Sequence, residues 1–325
     1  MASLNEFEII GKYFAPLTGT GSYGLKDDAA QVSTSKGCAL VVTQDAIAEG
    51  IHFFSQDPPE MIAKKALRVN LSDLAAKGAK PNSFSIALGL GQRWDEDWIA
   101  RFAKGLKEDC DSFDIALTGG DTFKSGGGIV ISITALGEVP EGEYVSRLGA
   151  KAGDVLFVTG TIGDGALGLQ TRQGIDLSVS RDHCQVLTER YLLPNPRLQF
   201  AECIREFASA SMDVSDGLVG DLQKLCSASQ VSCEIKLAQI PFSKAASAVF
   251  SIDSKYVEMA LTGGDDYEIL FTVPSERVQA ANAAFAKMAF PVTRIGSMNS
   301  GAGVRVIDKD GSMLKFRKFS YDHLD

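Results

Sequence analysis

Nine aspartates of the 325-residue chain stand where strand-like runs end or helix-like runs begin: Asp27 and Asp28 in KDDAA, Asp45 after CALVVTQ, Asp73 in NLSDLAA, Asp121 in LTGGDTF, Asp213 and Asp216 in MDVSDGL, and Asp265 with Asp266 in LTGGDDYEILF. Taken singly, an aspartate at such a place is often only a helix cap or turn former. Asp73 fits that description poorly, because mid-helix aspartate is disfavoured and this one sits among small residues suited to close packing. Taken together, carboxylates gathered on one rim of a sheet repel. Two unit charges 4 Å apart interact by roughly 4 kcal/mol at an effective dielectric near 20, so such a cluster needs cations. Hard oxygen donors without His or Cys select Mg²⁺ or Ca²⁺. Mg²⁺ keeps waters and bridges carboxylates to substrate phosphates, so the ligand implied is a polyphosphate. The paired glycines before Asp121 and Asp265 then have a purpose, since without Cβ the backbone turns sharply and approaches phosphate closely.

These residues need α/β elements to position them. CALVVT (38–43), SFSIALGL (83–90), DIALTGG (114–120) and GIVISITALGEV (128–139) read as strands. PPEMIAKKALRVNLSDLAAKGA and DEDWIARFAKGLKEDC between them carry helical periodicity with Pro or Asp at their starts. After the polar connector SRLGAKAGD a second series begins, with strand DVLFVTG, the glycine-rich TIGDGALGL opening a helix, two further helices, MDVSDGL leading into GDLQKLC, then VSCEIKL and YEILFTV. The length suits two domains of roughly 150 residues, and the boundary is placed to give domains 1–148 and 149–325. The doubled LTGGD is the only repeat found.

Composition narrows the function class. A net charge of −9 with pI near 5.0 lacks the basic footprint of a nucleic-acid or anionic-membrane binder, so any phosphate handled must be neutralised by metal or by a few local cations. Six scattered cysteines without a Cys-x-x-Cys pair suit a reducing cytoplasm, and no export signal or 18-residue apolar run is visible. Three histidines (His52, His183, His323) make a His-based metal site unsuitable. No Walker A loop, His-Glu-x-x-His or nucleophile elbow occurs. GTGSYG (19–24) matches Gly-x-Gly-x-x-Gly, but no strand precedes it and no helix follows, which argues for a loop.

The ordered set KDDAA, VTQDAIAEGIHF, NLSDLAAKGA, LTGGDT, SRLGAKAGD, VTGTIGDGALGL, MDVSDGL, LTGGDDYEILF and SYDHL, running from about residue 5 to the C-terminus, closely resembles the thiamine-monophosphate kinase family, within the superfamily of aminoimidazole ribonucleotide synthetase. The resemblance implies a two-domain mixed α/β fold whose N-terminal sheets form a barrel across a homodimer. It also implies ATP-dependent phosphorylation of thiamine monophosphate to thiamine diphosphate with several Mg²⁺ ions. Carried over by position, Asp28, Thr43, Gln44 (through its carbonyl), Asp45, Asp73, Asp121, Asp213 and Asp216 match metal-binding positions. Gly120, Asp121, Arg147 and Ser215 match nucleotide contacts, and His52, Asp265 and Tyr321 match substrate contacts. Asp45, Asp73 and Asp121 are the positions on which catalysis is expected to rest. On this reading the first TGGD serves ATP and its metal, and the second the vitamin.

Three positions depart from the family pattern. Lys26 stands where the family usually has Gly before the paired aspartates, Ala103 replaces an aromatic that often touches the nucleotide, and TQD replaces STD around Gln44. The mechanism implied is direct in-line transfer, in which positioning and charge neutralisation carry the catalysis, with Arg147 as a fixed positive charge on the nucleotide phosphates. Another ATP-using member of the superfamily, acting on a carbonyl or selenide, is the nearer rival; LTGGDDYEILF and SYDHL argue against it. A divalent-ion-binding structural protein is the rival of a different class, and the chain has no twelve-residue EF-hand loop.

Overall fold

The computed structural model describes residues 5–92 and 94–320. They divide into two compact units, the first formed by the chain to Leu74 with Ala79–Gly142, the second by Ala75–Gly78 with Glu143 onward. The connector SRLGAKAGD lies in the second unit.

The first unit opens with a short helix α1 (Glu6–Ile9) held by a capping box in which Asn5 Oδ1 accepts from the Glu8 amide and the Glu8 carboxylate accepts from the Asn5 amide. There follow β1 (Cys38–Ala48), α2 (Pro59–Ala76), β2 (Lys80–Leu90), α3 (Glu96–Phe113), β3 (Ala116–Lys124) and β4 (Val130–Pro140). The start of α3 is fixed by Asp95, which accepts from the Trp98 amide at 2.8 Å, and the helix stops where Asp114 turns left-handed. Its buried Ile99, Phe102, Leu106 and Cys110 recur at helical spacing. GTGSYG forms turns and a short 3₁₀ segment, as a loop should.

The four strands lie in the order β1-β4-β2-β3, with β2 and β3 parallel and the other pairs antiparallel. One face is covered: Ile131, Ile133, Ala135 and Val139 of β4 are buried, and Leu74 of α2 lies against Gly137. An ion pair between Arg68 and buried Asp109 ties α2 to α3. The opposite face is open in the single chain. It carries Leu40 and Val42 of β1, 46% and 57% exposed, with Leu136 of β4 opposite Val42 and Val130 opposite Ala48 at the far end. β4 therefore buries alternate residues only, with Ser132 and Thr134 half-exposed on the open side.

The second unit holds β5 (Val155–Thr159), α4 (Asp164–Arg172), α5 (Arg181–Leu192), α6 (Ala201–Phe207), β6 (Ala210–Val214), α7 (Leu218–Ser229), β7 (Ser232–Lys236), α8 (Lys244–Ile252), α9 (Lys255–Thr262), β8 (Glu268–Val273), α10 (Val278–Phe285), β9 (Val292–Asn299) and β10 (Gly303–Ile307). Its sheet runs β10-β7-β9-β5-β8-β6, antiparallel except for β10 with β7. β5, β6 and β8 are buried along their whole length, because helices cover both faces. Leu156, Val158, Met212 and Leu270 pack with Leu218, Leu222 and Leu225 of α7. On the other face Phe157, Phe200, Phe271 and Phe285 stack or meet edge to face at centroid separations of 5.3–5.6 Å. Among the described residues no helix is long and apolar enough to cross a membrane, and the six cysteines are free thiols.

Candidate active site

The aspartates of the first unit fall into two groups. β1 is longer than its apolar run suggests, so Thr43, Gln44 and Asp45 lie inside it rather than after it. Thr43 Oγ1 donates to Asp73 Oδ2 at 2.5 Å, and the Asp45 amide donates to Asn70 Oδ1 at 3.0 Å, so two side chains of α2 take up the edge of β1. Asp73 is thus no cap. It faces β1 through its bond to Thr43. The Gln44 side chain turns to the open face and donates to Ser132 Oγ at 3.1 Å. His52, just after β1, accepts from the Ala48 amide through Nδ1 at 3.1 Å, and its carbonyl takes the ammonium of the buried Lys65. The Nδ1 lone pair is therefore occupied, and Nε2 is the position that carries the proton of the neutral ring.

The second group lines a pocket of about 340 Å³ at the β3 edge. Asp27, Asp28 and Asp121 meet there with the backbone of Gly119 and Gly120 and with an apolar wall that includes Phe14, Leu25, Ile86 and Leu117. A β-carbon on Gly120 would stand 2.0 Å from the Ile86 carbonyl oxygen, so only glycine fits this close approach of β3 to β2. Ala103, where the family has an aromatic, is buried within α3.

These two groups do not meet in one sheet. Pairing runs Asp45 to Ile133, Ile133 to Ile86 and Ile86 to Gly120. Asp45 and Asp121 are therefore on opposite edge strands, three inter-strand steps or roughly 14 Å apart. Asp121 pairs with Ala87, Ala87 with Ser132 and Ser132 with Ala46, which sets Asp121 on the open face and Asp45 on the helix-covered one. A single rim of carboxylates presumes strands ending on the same side, and the largely antiparallel sheets do not supply it. Among the described residues no three Asp, Glu, His or Cys side chains gather into a ready metal site.

In the second unit the turn after β6 is built by α7. Asp221, fully buried in the first turn of α7, accepts from the Ser215 and Asp216 amides, both at 3.0 Å. Lys224 Nζ bridges Asp221 Oδ1 at 2.8 Å and Asp216 Oδ2 at 2.5 Å. Burial raises the Asp221 carboxyl above its ordinary value despite the adjacent Lys224 ammonium, which is itself held above its usual range by Asp221 although burial opposes this. Asp213 is buried within β6. The second TGGD turn packs on this one: the Asp265 amide donates to Ser215 O at 2.9 Å and the Tyr267 amide to Val214 O at 2.8 Å. The structure thus places Asp213, Ser215, Asp216 and Asp265 side by side. Arg147 is exposed on a loop whose carbonyl is fixed by Ser229 Oγ at 2.7 Å. Tyr321 lies outside the described residues. The chain leading to it is close-packed on α7, where a β-carbon on Gly220 would stand 2.3 Å from Ser320 Cβ.

Sequence reasoning missed a buried ionic cluster behind the second turn. Glu268 is fully buried and accepts from Arg197 at 2.6 and 2.7 Å, from Arg190 at 2.8 Å and from Thr159 Oγ1 at 2.7 Å. Asp164 accepts from Thr161 and Ser243 hydroxyls, and Asp266 accepts from the Gly163 and Gly165 amides. Burial raises the Asp266 carboxyl well above the ordinary range, against the pull of the Gly163 amide. The signal available was the second carboxylate of GGDD, followed two residues later by Glu inside an apolar strand, where an unpaired charge is not tolerated.

Comparison with known proteins agrees with this architecture. Residues 26–139 match the family model "AIR synthase related protein, N-terminal domain", and residues 151–309 match the corresponding C-terminal domain. The thiamine-monophosphate kinase of Caulobacter vibrioides is 40% identical over 304 residues, 92% of this chain and 85% of the relative. The crystal structure of thiamine-monophosphate kinase from Stenotrophomonas maltophilia superposes with a TM-score of 0.79 at 37% identity, covering 89% of this chain and 91% of that one. A structure described as AaThiL complexed with AMPPCP and TMP superposes with a TM-score of 0.78 at 33% identity, covering 93% and 97%. The chain belongs to the thiamine-monophosphate kinase family of AIR synthase-related proteins.

Proposed function

We propose that this chain transfers the γ-phosphoryl group of ATP to thiamine monophosphate, giving thiamine diphosphate and ADP. The observation that carries the proposal is the near-full-length likeness, in sequence and fold, to a protein solved with an ATP analogue and TMP. The ordered motifs and the grouping of Asp28, Asp121 and Gly120 around one pocket support it.

The pocket on β3 suits a nucleotide. Its apolar wall matches a base or sugar face, and the glycine backbone lets phosphate come close to Asp28 and Asp121. The donor set fits Mg²⁺: carboxylates, a threonine hydroxyl and carbonyls, without thiolate or imidazole. We assign the metal to Asp28, Thr43, Gln44 through its carbonyl, Asp45, Asp73, Asp121 and Asp213. Asp216 enters the set only by exchanging its Lys224 partner. Bound Mg²⁺ supplies charge neutralisation between two polyanions. Asp45, Asp73 and Asp121 orient the phosphates, while Arg147 and Ser215 contact the nucleotide. His52, Asp265 and Tyr321 receive the vitamin: Asp265 by charge and hydrogen bonding, Tyr321 by its aromatic face. An oxygen of the monophosphate, already anionic, attacks the γ-phosphorus in line as the bond to the ADP oxygen breaks, so no strong general base is required.

The separation of Asp45 from Asp121 favours a site completed by a second copy. A homodimer whose open sheet faces close into one barrel, with β3 of one copy beside β1 of the other, sets the strand that carries Asp121 next to the strand that carries the other copy's Asp45 and covers Leu40 and Val42. The first unit then carries ATP, metal and dimerisation, and the second adds nucleotide and vitamin contacts. The test is a chromatographic product assay with ATP, thiamine monophosphate and Mg²⁺. Thiamine diphosphate and ADP in equal amounts, abolished by EDTA and restored by Mg²⁺, are expected. No thiamine diphosphate, or equal turnover without metal, contradicts the proposal.

A further inference from the structure

We propose that Asp266 is a positioning residue for the vitamin subsite: its buried carboxylate clamps the turn that presents Asp265 onto the N-terminus of α4. The inference rests on the reading of Asp265 as a contact of thiamine monophosphate. Asp265 and Tyr267 both adopt left-handed backbone, with φ of 72° and 51°, a conformation that non-glycine residues avoid and that persists only where surroundings fix it. Four hydrogen bonds supply that fixation. On one side the Asp265 and Tyr267 amides donate to the carbonyls of Ser215 and Val214. On the other, Asp266 Oδ2 accepts from the Gly163 amide at 2.7 Å and Oδ1 from the Gly165 amide at 3.1 Å, two donors that open α4 and would otherwise be unsatisfied.

The contact is backbone against backbone. A β-carbon on Gly165 would stand 2.3 Å from the Asp265 carbonyl oxygen, and one on Gly263 would stand 2.6 Å from Ala166 Cβ. Gly165 of VTGTIGDGALGL thus admits the second TGGD turn against the start of α4. Behind the clamp, Arg190 reaches Glu268 at 2.8 Å and lies 3.8 Å from Asp164 and 3.5 Å from the Asp266 carbonyl. Arg190 thus links the strand that follows the turn to the helix that receives it. Asp266, 2% exposed, is closed off behind the turn. It sets where the side chain of its neighbour points.

The test compares Asp266→Asn with Asp265→Asn. In Asp266→Asn the introduced carboxamide is nearly the same shape as the carboxylate but presents a donor to one of the two glycine amides, so the turn loosens without a change of volume. The KM for thiamine monophosphate is expected to rise about tenfold in both variants, with KM for ATP within about twofold of wild type. A merely structural residue would lower the active fraction and leave both KM values unchanged, and that result in Asp266→Asn, beside a raised KM in Asp265→Asn, overturns the clamp. An unchanged KM in Asp265→Asn refutes instead the reading on which it rests. Should Asp266→Asn not fold, hydrogen exchange on the wild-type protein decides. Thiamine monophosphate is expected to slow exchange at Gly163, Gly165, Asp265 and Tyr267 together, and a non-hydrolysable ATP analogue is not. An equal response to both ligands, or none at the two glycines, overturns the proposal.

Discussion

Gly119 and Gly120 are neighbours on β3, yet the structure assigns them opposite tolerances. A β-carbon at Gly119 meets no atom within 4 Å, whereas at Gly120 it would lie 2.0 Å from the Ile86 carbonyl oxygen. Real β-carbon contacts essentially never fall under 3.0 Å, so Gly120→Ala must displace β3 from β2 by at least the difference, 3.0 minus 2.0, or 1.0 Å. Overpacking of this kind costs about 1–3 kcal/mol, and at roughly 2–4 °C per kcal/mol the first unit should melt about 2–12 °C lower. Asp121 is the next residue, and a shift of about 1 Å at a group that orients a reacting phosphate costs on the order of 10²-fold in turnover. Thermal melts and initial-rate assays on Gly119→Ala and Gly120→Ala in parallel measure both effects. Gly119→Ala should keep the wild-type melting temperature and lose far less activity than its neighbour. Indistinguishable melts and rates for the two variants would refute the claim that a close backbone approach at Gly120 positions Asp121.

If each site combines Asp45 of one copy with Asp121 of the other, then Asp45→Asn and Asp121→Asn, each inactive alone, should regain activity when mixed and allowed to exchange subunits, since one site of each hybrid is then intact; no recovery in confirmed hybrids would place both residues in one copy's site. Arg197→Met removes two charge-assisted hydrogen bonds to the buried Glu268 carboxylate, leaving it Arg190 and Thr159, and should cost about 1.5–3 kcal/mol, which the double variant with Glu268→Gln partly restores; urea titrations showing a loss under about 1 kcal/mol would contradict this. The Asp221 carboxyl, raised by burial above its ordinary 3.8, holds its proton more tightly in the folded than in the unfolded chain. Its contribution is therefore present in acid below 3.8 and lost as pH rises through the folded value. Asp221→Asn, which does not titrate, should gain stability relative to wild type as pH rises from 3.8 through the folded value in paired denaturant titrations, and a constant difference would show the carboxyl to be unperturbed.

Much of the fold was legible because its elements are locally consistent. The apolar period of α3, the Asp95 cap and the left-handed stop at Asp114 agree with one another, and the runs around Ile131 and Leu156 are strands in the structure. The directions of the strands were not legible, since period-2 patterning is blind to whether neighbours run parallel or antiparallel. That blindness explains why aspartates expected on one rim lie on opposite edges of the first sheet. Residue types at the candidate site were legible, and their partners were not. Asp216 is an aspartate before a helix in sequence, and only the fold brings Lys224 to it. Asp266 sits next to Asp265 in sequence, yet one is buried against the α4 amides while the other stays partly accessible, a division set by tertiary packing of the turn.

The central claim is that the γ-phosphoryl group passes directly from ATP to thiamine monophosphate. The most direct measurement follows the label from [γ-³²P]ATP in a single turnover with thiamine monophosphate and Mg²⁺, separating nucleotide, vitamin, inorganic phosphate and protein. All transferred label should appear in the terminal phosphate of thiamine diphosphate, with none on the protein at any time. Label on the protein before it reaches the vitamin would contradict direct transfer, and label released only as inorganic phosphate would contradict the assigned substrate.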